Sequence, residues 1–282
     1  MRYSRHLLIL ALCCGAFAWR PAQAADPPGR IVSANLCTDQ LLLALADSEQ
    51  IASLSPFVRD PAMSFLSGMG ARFPMNRGAG EDLIRLEADL VLIGPYDSRY
   101  TRALLAAQHL RFETVDPWTS LADGAAQIRH LAALFGHPQR GEALIASIEK
   151  ARTEIAGLAR VAGRVPSVLV LHRRGYVFHA GVTGELLAQA GFENAAARMG
   201  ISDAGFVSLE AVLKARPDFL IVSDLDGGAE DQGQAFLQHP ALARLYPAAR
   251  RLVLPDRLTL CGGPSTPDLI TRLASEIREK VH

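Results

Sequence analysis

The sequence is short of the signatures that assign a chemistry. Its 282 residues contain no G-x-S-x-G elbow, no H-E-x-x-H pair and no P-loop. The stretch "GMGARF", from Gly68, has two glycines of a dinucleotide loop but follows no predicted strand. Cysteine is scarce. Of four, Cys13 and Cys14 lie in the first 24 residues, and the remaining pair, Cys37 and Cys261, has no C-x-x-C metal spacing. A thiol nucleophile at Cys37 needs a positioned base, and the sequence offers no evidence of one. Lys+Arg and Asp+Glu balance at 29 each, so the basic stripe that nucleic acid requires is missing. Beyond the first 24 residues no apolar run approaches the roughly 20 residues of a membrane-spanning helix.

What is present begins with an export signal. Arg2 and Arg5 give a basic start, Leu7 to Ala18 an apolar run, and Ala22-Gln23-Ala24 a small-residue cleavage site. Cleavage after Ala24 leaves 258 residues and removes Arg2, Arg5 and Arg20, so 26 basic residues face 29 acidic ones. Neither Cys13, after Leu12, nor Cys14, after Cys13, has the small preceding residue of a lipid anchor. In an oxidising compartment Cys37 and Cys261 could form one disulfide.

The mature chain reads as strands alternating with helices, which predicts an α/β fold with largely parallel sheets. "RIVSA" at 30, "DLVLIG" at 89, "VLVLH" at 168, "FLIVS" at 219 and "RLVLP" at 251 are short, β-branched and leucine-rich, as strands covered on both faces are. Helix-period segments lie between them, among them "QLLLALA" from Gln40 and "TRALLAAQHL" from Thr101. A repeat organises the whole. "EDLIRLEADLVLI", Glu81 to Ile93, aligns without a gap against "EAVLKARPDFLIV", Glu210 to Val222, at an offset of 129. Each reads as an acidic helix start, a short helix, a turn with Asp89 or Asp218, and a buried strand. Between the halves, Leu144, Ile148, Ala151, Ile155, Leu158 and Ala162 hold one apolar face from Pro138 to about Ala162. That spacing predicts one long helix of about 36 Å, a stiff connector. The expected organisation is a signal at 1–24, an N-terminal lobe at 25–137, a connecting helix at 138–162 and a C-terminal lobe at 163–282.

"RIVSANLCTDQLLLALAD", "EDLIRLEADLVLIGPY", "GELLAQAGFENAA", "VSLEAVLKARPDFLIV" and "PDRLTLCGGPSTPDLITRLA", in this order and spacing, resemble the periplasmic substrate-binding proteins of ABC importers. The resemblance is to the helical-hinge class that serves cobalamin, haem and ferric siderophores, and within it to the cobalamin branch. It implies two similar lobes joined by one long helix with the ligand between them, and a periplasmic location. It also implies a monomer that catalyses nothing, carries no cofactor or structural metal, and delivers its ligand to a membrane permease driven by an ATPase. The expected ligand is a cobalamin-like corrinoid; haem or a ferric siderophore is the alternative, and an exported hydrolase the alternative of another class. One departure stands out: the cobalamin branch lines its cleft with tryptophans, whereas Trp118, the mature chain's only one, lies outside every expected cleft loop.

Open α/β sheets bind ligands beyond the carboxyl ends of their strands. With the resemblance, this places Cys37, Thr38 and Asp39, then Tyr96, Arg99 and Tyr100, in the first cleft wall. Arg174, Tyr176, Phe178, His179, Phe206, Asp256, Arg257 and Cys261 fall in the second. Aromatic faces and arginine forks suit a macrocycle with amide or carboxylate arms. Tyr96 and Tyr100 are stackers, axial phenolate ligands to haem iron, or surface tyrosines at a helix start. His179 is a metal ligand or a hydrogen-bonding residue; Arg173 and Arg174 are a solvated pair or contribute to a fork. Asp39 contacts ligand or caps a helix. The resemblance sets Cys37 and Cys261 in loops of opposite lobes, where a bridge would tie the cleft shut, so free thiols are expected. Glu81 and Glu210, at matched positions, are implied to dock on the permease; each also complements a helix amino end.

Overall fold

The computed structural model describes residues 26–159, 163–178, 181–223 and 232–281. The expected export signal at 1–24 and His179 lie outside the described residues. Two four-stranded parallel sheets form the frame. In the first, β1 (Ile31–Ser33), β2 (Ile51–Ser53), β3 (Leu90–Ile93) and β4 (Phe112–Thr114) stand in the order β2-β1-β3-β4. In the second half come β5 (Ser167–Val170), β6 (Tyr176–Phe178), β7 (Glu193–Asn194), β8 (Ala204–Phe206), β9 (Phe219–Val222) and β10 (Arg251–Val253). Here β7-β5-β9-β10 repeats the same topology, second-first-third-fourth, and β6 and β8 pair as an antiparallel ribbon.

The repeat seen in the sequence is structural. β3 and β9 fall at the offset of 129, and each pairs in parallel with the first strand of its half, Ile31 opposite Leu90 and Val168 opposite Phe219. The turn before each carries a left-handed residue at the same offset, Glu87 at φ 48° and Arg216 at φ 46°. The aspartates that follow act alike. Asp89 accepts the Gly29 N–H at 3.0 Å and Asp218 the Ser167 N–H at 2.7 Å, each pinning the start of its first strand.

Alternation along the strands divides the core. Ile31, Leu90, Leu92, Val168, Val170, Ile221 and Leu252 face one continuous apolar cluster shared by both halves. Val32, Val91 and Ile93 point to an outer cluster of the first half, and Leu169, Leu220 and Val222 to that of the second. Helices therefore cover both faces of each sheet, as the apolar strands require.

Two helix boundaries differ from the expectation. The connecting helix spans Pro138–Thr153, 16 residues, and the chain continues through turns to Ala159. Gly157, at φ 71°, sends its N–H to the Gln189 carbonyl, so a contact outside the helix ends the ladder while Ile155 and Ala159 stay buried. The helix lies against those at Leu121–Leu134 and Thr266–Lys280, so it is packed rather than free-standing. The first helix starts at Leu36, not Gln40. Asn35 caps it: its Oδ1 accepts the N–H groups of Cys37 and Thr38, and Thr38 Oγ1 accepts the Asn35 N–H. "NLCTDQ" is thus a capped helix start rather than a turn. Among the described residues no helix is long and apolar enough to cross a membrane.

Candidate functional site

The segments that follow the strands enclose a cavity of about 520 Å³. From the first half come Asn35, Leu36 and Cys37 after β1, Phe57 and Met63 after β2, Gly94 to Asp97 after β3, and Val115 to Trp118 after β4. The second half supplies Phe178, Val182, Thr183 and Thr259 to Gly262. Placement at the carboxyl ends of parallel strands, beside the point where strand order reverses, follows from the topology.

The first wall is knit by polar contacts behind it. Asp97 Oδ2 accepts the Gly94 N–H at 2.6 Å and the Asn35 side-chain amide at 3.4 Å, so the cap of the first helix also holds the loop "GPYD". Tyr96 stands at the tip of that loop, lining the cavity with its side chain 90% exposed. The wall is mostly apolar. Among the described lining residues the charged ones are Asp97 and Asp116, and none is lysine or arginine.

Trp118 belongs to this wall, which corrects its expected place outside the cleft. Its indole is wedged between two glycines, where a Cβ on either Gly124 or Gly262 would come within 2.4 Å of its Cδ2. Indole Nε1 donates to Gln127 at 2.7 Å, and Gln127 in turn donates to the Asp116 carbonyl. The loop "DPWTS" following β4 and the glycine after Cys261 were the signals for this packing. The glycines leave room for one flat ring and no more.

Cys37 and Cys261 are bonded to each other, Cα to Cα 5.2 Å, against the expectation of free thiols. The physical reason is proximity: the helix start after β1 and the segment after β10 approach within the reach of a disulfide. Both cysteines line the cavity, so the tie and the space beside it coexist.

A side chamber of about 270 Å³ opens in the second half, sharing Phe178, Thr183, Thr259 and Leu260 with the main cavity. Tyr176, Asp256, Ser223 and His172 bring polar groups to it. Sequence reasoning missed His172, which stands two residues after β5 as Asn35 stands two after β1. Burial holds its imidazole below the usual histidine range, with Asp256 pulling the other way.

The remaining candidates lie elsewhere. Thr38 is buried in the helix cap. Asp39 lies in the first turn of that helix with its side chain buried, where its carboxylate accepts the Ser55 N–H at 3.0 Å and hydroxyl at 2.5 Å. Desolvation raises its pKa to about 7. Arg99, Arg174 and Arg257 are exposed, and none lines the cavity or the chamber. Tyr100 is 63% exposed and donates its hydroxyl to Glu81 at 3.1 Å. Phe206 packs edge-on against Tyr176, ring centres 5.3 Å apart, on the exposed side of the ribbon. Glu81 and Glu210 are exposed in the first turns of matched helices. Among the described residues no three His, Cys, Asp or Glu side chains gather as a metal site.

The fold is shared with solved structures. A periplasmic heme-binding protein, RhuT, from Roseiflexus sp. RS-1 is 28% identical, with a TM-score of 0.71 over 90% of this chain and 99% of that one. A periplasmic heme-binding protein from Pseudomonas aeruginosa, at 22% identity, has a TM-score of 0.71 over 90% and 94%; HutB of Vibrio cholerae, at 19%, one of 0.68 over 87% and 97%. No curated protein matches the sequence. Residues 31–251 match the periplasmic binding protein family. Two parallel sheets of one topology, a cleft at their carboxyl edges and that match together establish that this chain belongs to the periplasmic binding proteins, the substrate-binding components of ABC importers.

Proposed function

We propose that the protein captures haem in the periplasm and hands it to its importer. The observation that carries this is Tyr96: a phenol 90% exposed, at the rim of an apolar cavity of about 520 Å³. A tyrosine phenolate is a known protein ligand of haem iron, and an apolar slot suits a flat macrocycle. The 28% identical relative is itself named a heme-binding protein, which supports the same reading. The corrinoid expected from the sequence yields to haem here. A corrinoid is about twice as large in heavy atoms and carries a nucleotide arm, a poor fit to this volume.

In this reading Tyr96 gives up its phenolic proton to solvent as it binds ferric iron. Phe57 and Leu260 cover the ring faces. With no lysine or arginine lining the cavity, the propionates point outward, to solvent. Residues 25–137 and 163–282 act as the two lobes flanking the cargo, and residues 1–24 direct export. Glu81 and Glu210, exposed on the matched helices, pair with cationic groups of a two-fold permease, setting register and encounter rate.

Thermal shift with three ligands tests the cargo. Haemin at a hundred times its Kd stabilises the fold by about 2.7 kcal/mol through mass action, and raises the melting temperature more than cyanocobalamin or a ferric siderophore does. A larger shift with cyanocobalamin would return the assignment to the corrinoids.

A further inference from the structure

The disulfide and the cleft form one structure. Cys37 stands in the first turn of the helix after β1, and Cys261, 224 residues later, in the segment after β10. The bridge therefore joins the two halves at the wall of the cavity. Next to it, Gly262 lies flat on Trp118, whose other face is covered by Gly124 of the first half. Cys261 and Gly262 thus hold the second half to the first twice, covalently and by packing. Cys261 is 6% exposed and Cys37 half-buried, so a thiolate from outside reaches the Cys37 sulfur first.

We propose that the Cys37–Cys261 bridge is a thiol-exchange site whose reduction loosens the cleft, and that cargo in the cleft shields it. The partner is a dithiol reductant, such as a thioredoxin-like protein. Its thiolate attacks Cys37 Sγ, the Cys37–Cys261 bond breaks, and Cys261 leaves as a thiolate that takes a proton. The second thiol of the reductant then attacks the mixed disulfide, Cys37 leaves and is protonated, and the reductant departs as its own disulfide. The chain gains two electrons and two protons. Without the bridge, the packing of Trp118 on Gly262 is no longer clamped and opens locally, while the shared core keeps the two halves folded together. A bridge that merely constrains the unfolded chain would be indifferent to the cleft's state and contents.

Two measurements decide between these. In the first, cargo-free protein is reduced with dithiothreitol, maleimide labelling counts two thiols, and far-UV circular dichroism reports the fold. The mature chain has one tryptophan, so its fluorescence reads Trp118 alone. Acrylamide quenching rises about threefold in the reduced, folded protein, because local opening exposes the indole. The Cys37→Ser/Cys261→Ser variant shows the same quenching without reductant. Unchanged quenching at two free thiols overturns the latch, as does global unfolding on reduction, which would make the bridge purely structural.

The second measurement rests on the haem reading and uses gallium protoporphyrin, which does not exchange electrons with the thiol. Saturated protein is reduced at least about tenfold more slowly than cargo-free protein, since access governs the exchange rate. Equal rates, with binding confirmed by the porphyrin's Soret band, overturn the shielding. A missing Soret band counts against the cargo assignment, and the quenching measurement then decides the latch by itself.

Discussion

Glu87 and Arg216 stand 129 residues apart and hold the same left-handed backbone, φ 48° and 46°. Each ends the short helix that leads into the third strand of its sheet. A side chain in this conformation costs about 1–2 kcal/mol, and glycine avoids the clash at some cost in unfolded-chain entropy. Glu87→Gly and Arg216→Gly should each stabilise the protein by about 0.5–1 kcal/mol, and should add, since the sites are independent. Urea unfolding of the two single variants and the double variant checks this; a loss of stability at both sites would mean that their side chains contribute more than the turn does.

The paired aspartates are unequal. Asp218 accepts a forked pair of bonds from Arg164 at 2.9 Å each, and the N–H and hydroxyl of Ser167, whereas Asp89 accepts one N–H from Gly29. The Arg164 guanidinium, with desolvation opposing and Ser167 assisting, brings the Asp218 pKa down to about 2. Asp218→Ala should cost about 2–3 kcal/mol and Asp89→Ala about 1, the exposed guanidinium contributing less than its geometry implies. The Asp218 contribution is present above pH 4 and fades as pH falls toward 2, a loss that Asp218→Ala should not show.

Asp39 works in the opposite sense. Its folded pKa of about 7 exceeds the ordinary 3.8, so the folded state holds the proton more tightly. The resulting stability is fully present below pH 4 and is lost as pH rises through 7. Asn at this position can accept the Ser55 N–H and donate to its hydroxyl without a buried charge. Asp39→Asn should therefore flatten the fall in unfolding free energy between pH 4 and pH 8. A variant with the same slope as the parent would show that Asp39 is ionised throughout.

The strands at 31, 90, 168, 219 and 251 and the 129-residue repeat were legible because local apolar runs encode them. Strands β2, β4 and β7 were not, because "IAS", "FET" and "EN" carry no apolar run; β4 is half-buried along its whole length. The helix end at Thr153 was hidden because the Gln189 carbonyl that captures the Gly157 N–H is remote in sequence. The cleft was legible as a set of post-strand segments, and four candidates, Cys37, Tyr96, Phe178 and Cys261, line the main cavity. Trp118 between its glycines and the bond between Cys37 and Cys261 depend on residues brought together only by folding, which leaves no periodic trace. Asn35 had a local signal, a threonine three residues on, with which it forms the cap.

Docking and capture should separate cleanly. Glu81 accepts from the Tyr100 hydroxyl, and the Glu210 pKa is lowered by its own N–H and by Ser208, so both carboxylates are oriented and exposed. Glu81→Ala with Glu210→Ala should leave haemin affinity within about twofold and sharply lower cellular uptake, because charge pairs at a rim govern encounter. Normal uptake by the double variant, at normal protein levels, would leave the glutamates as helix-end residues only.

Haemin titration of the purified cargo-free protein, followed by absorption alongside Tyr96→Phe, tests the central claim most directly. The expected result is a saturable Soret band at one haem per chain, with the phenolate-to-iron charge-transfer band present in the parent and absent in Tyr96→Phe. No saturable band in the parent, or one that Tyr96→Phe reproduces in full, would contradict capture of haem through Tyr96.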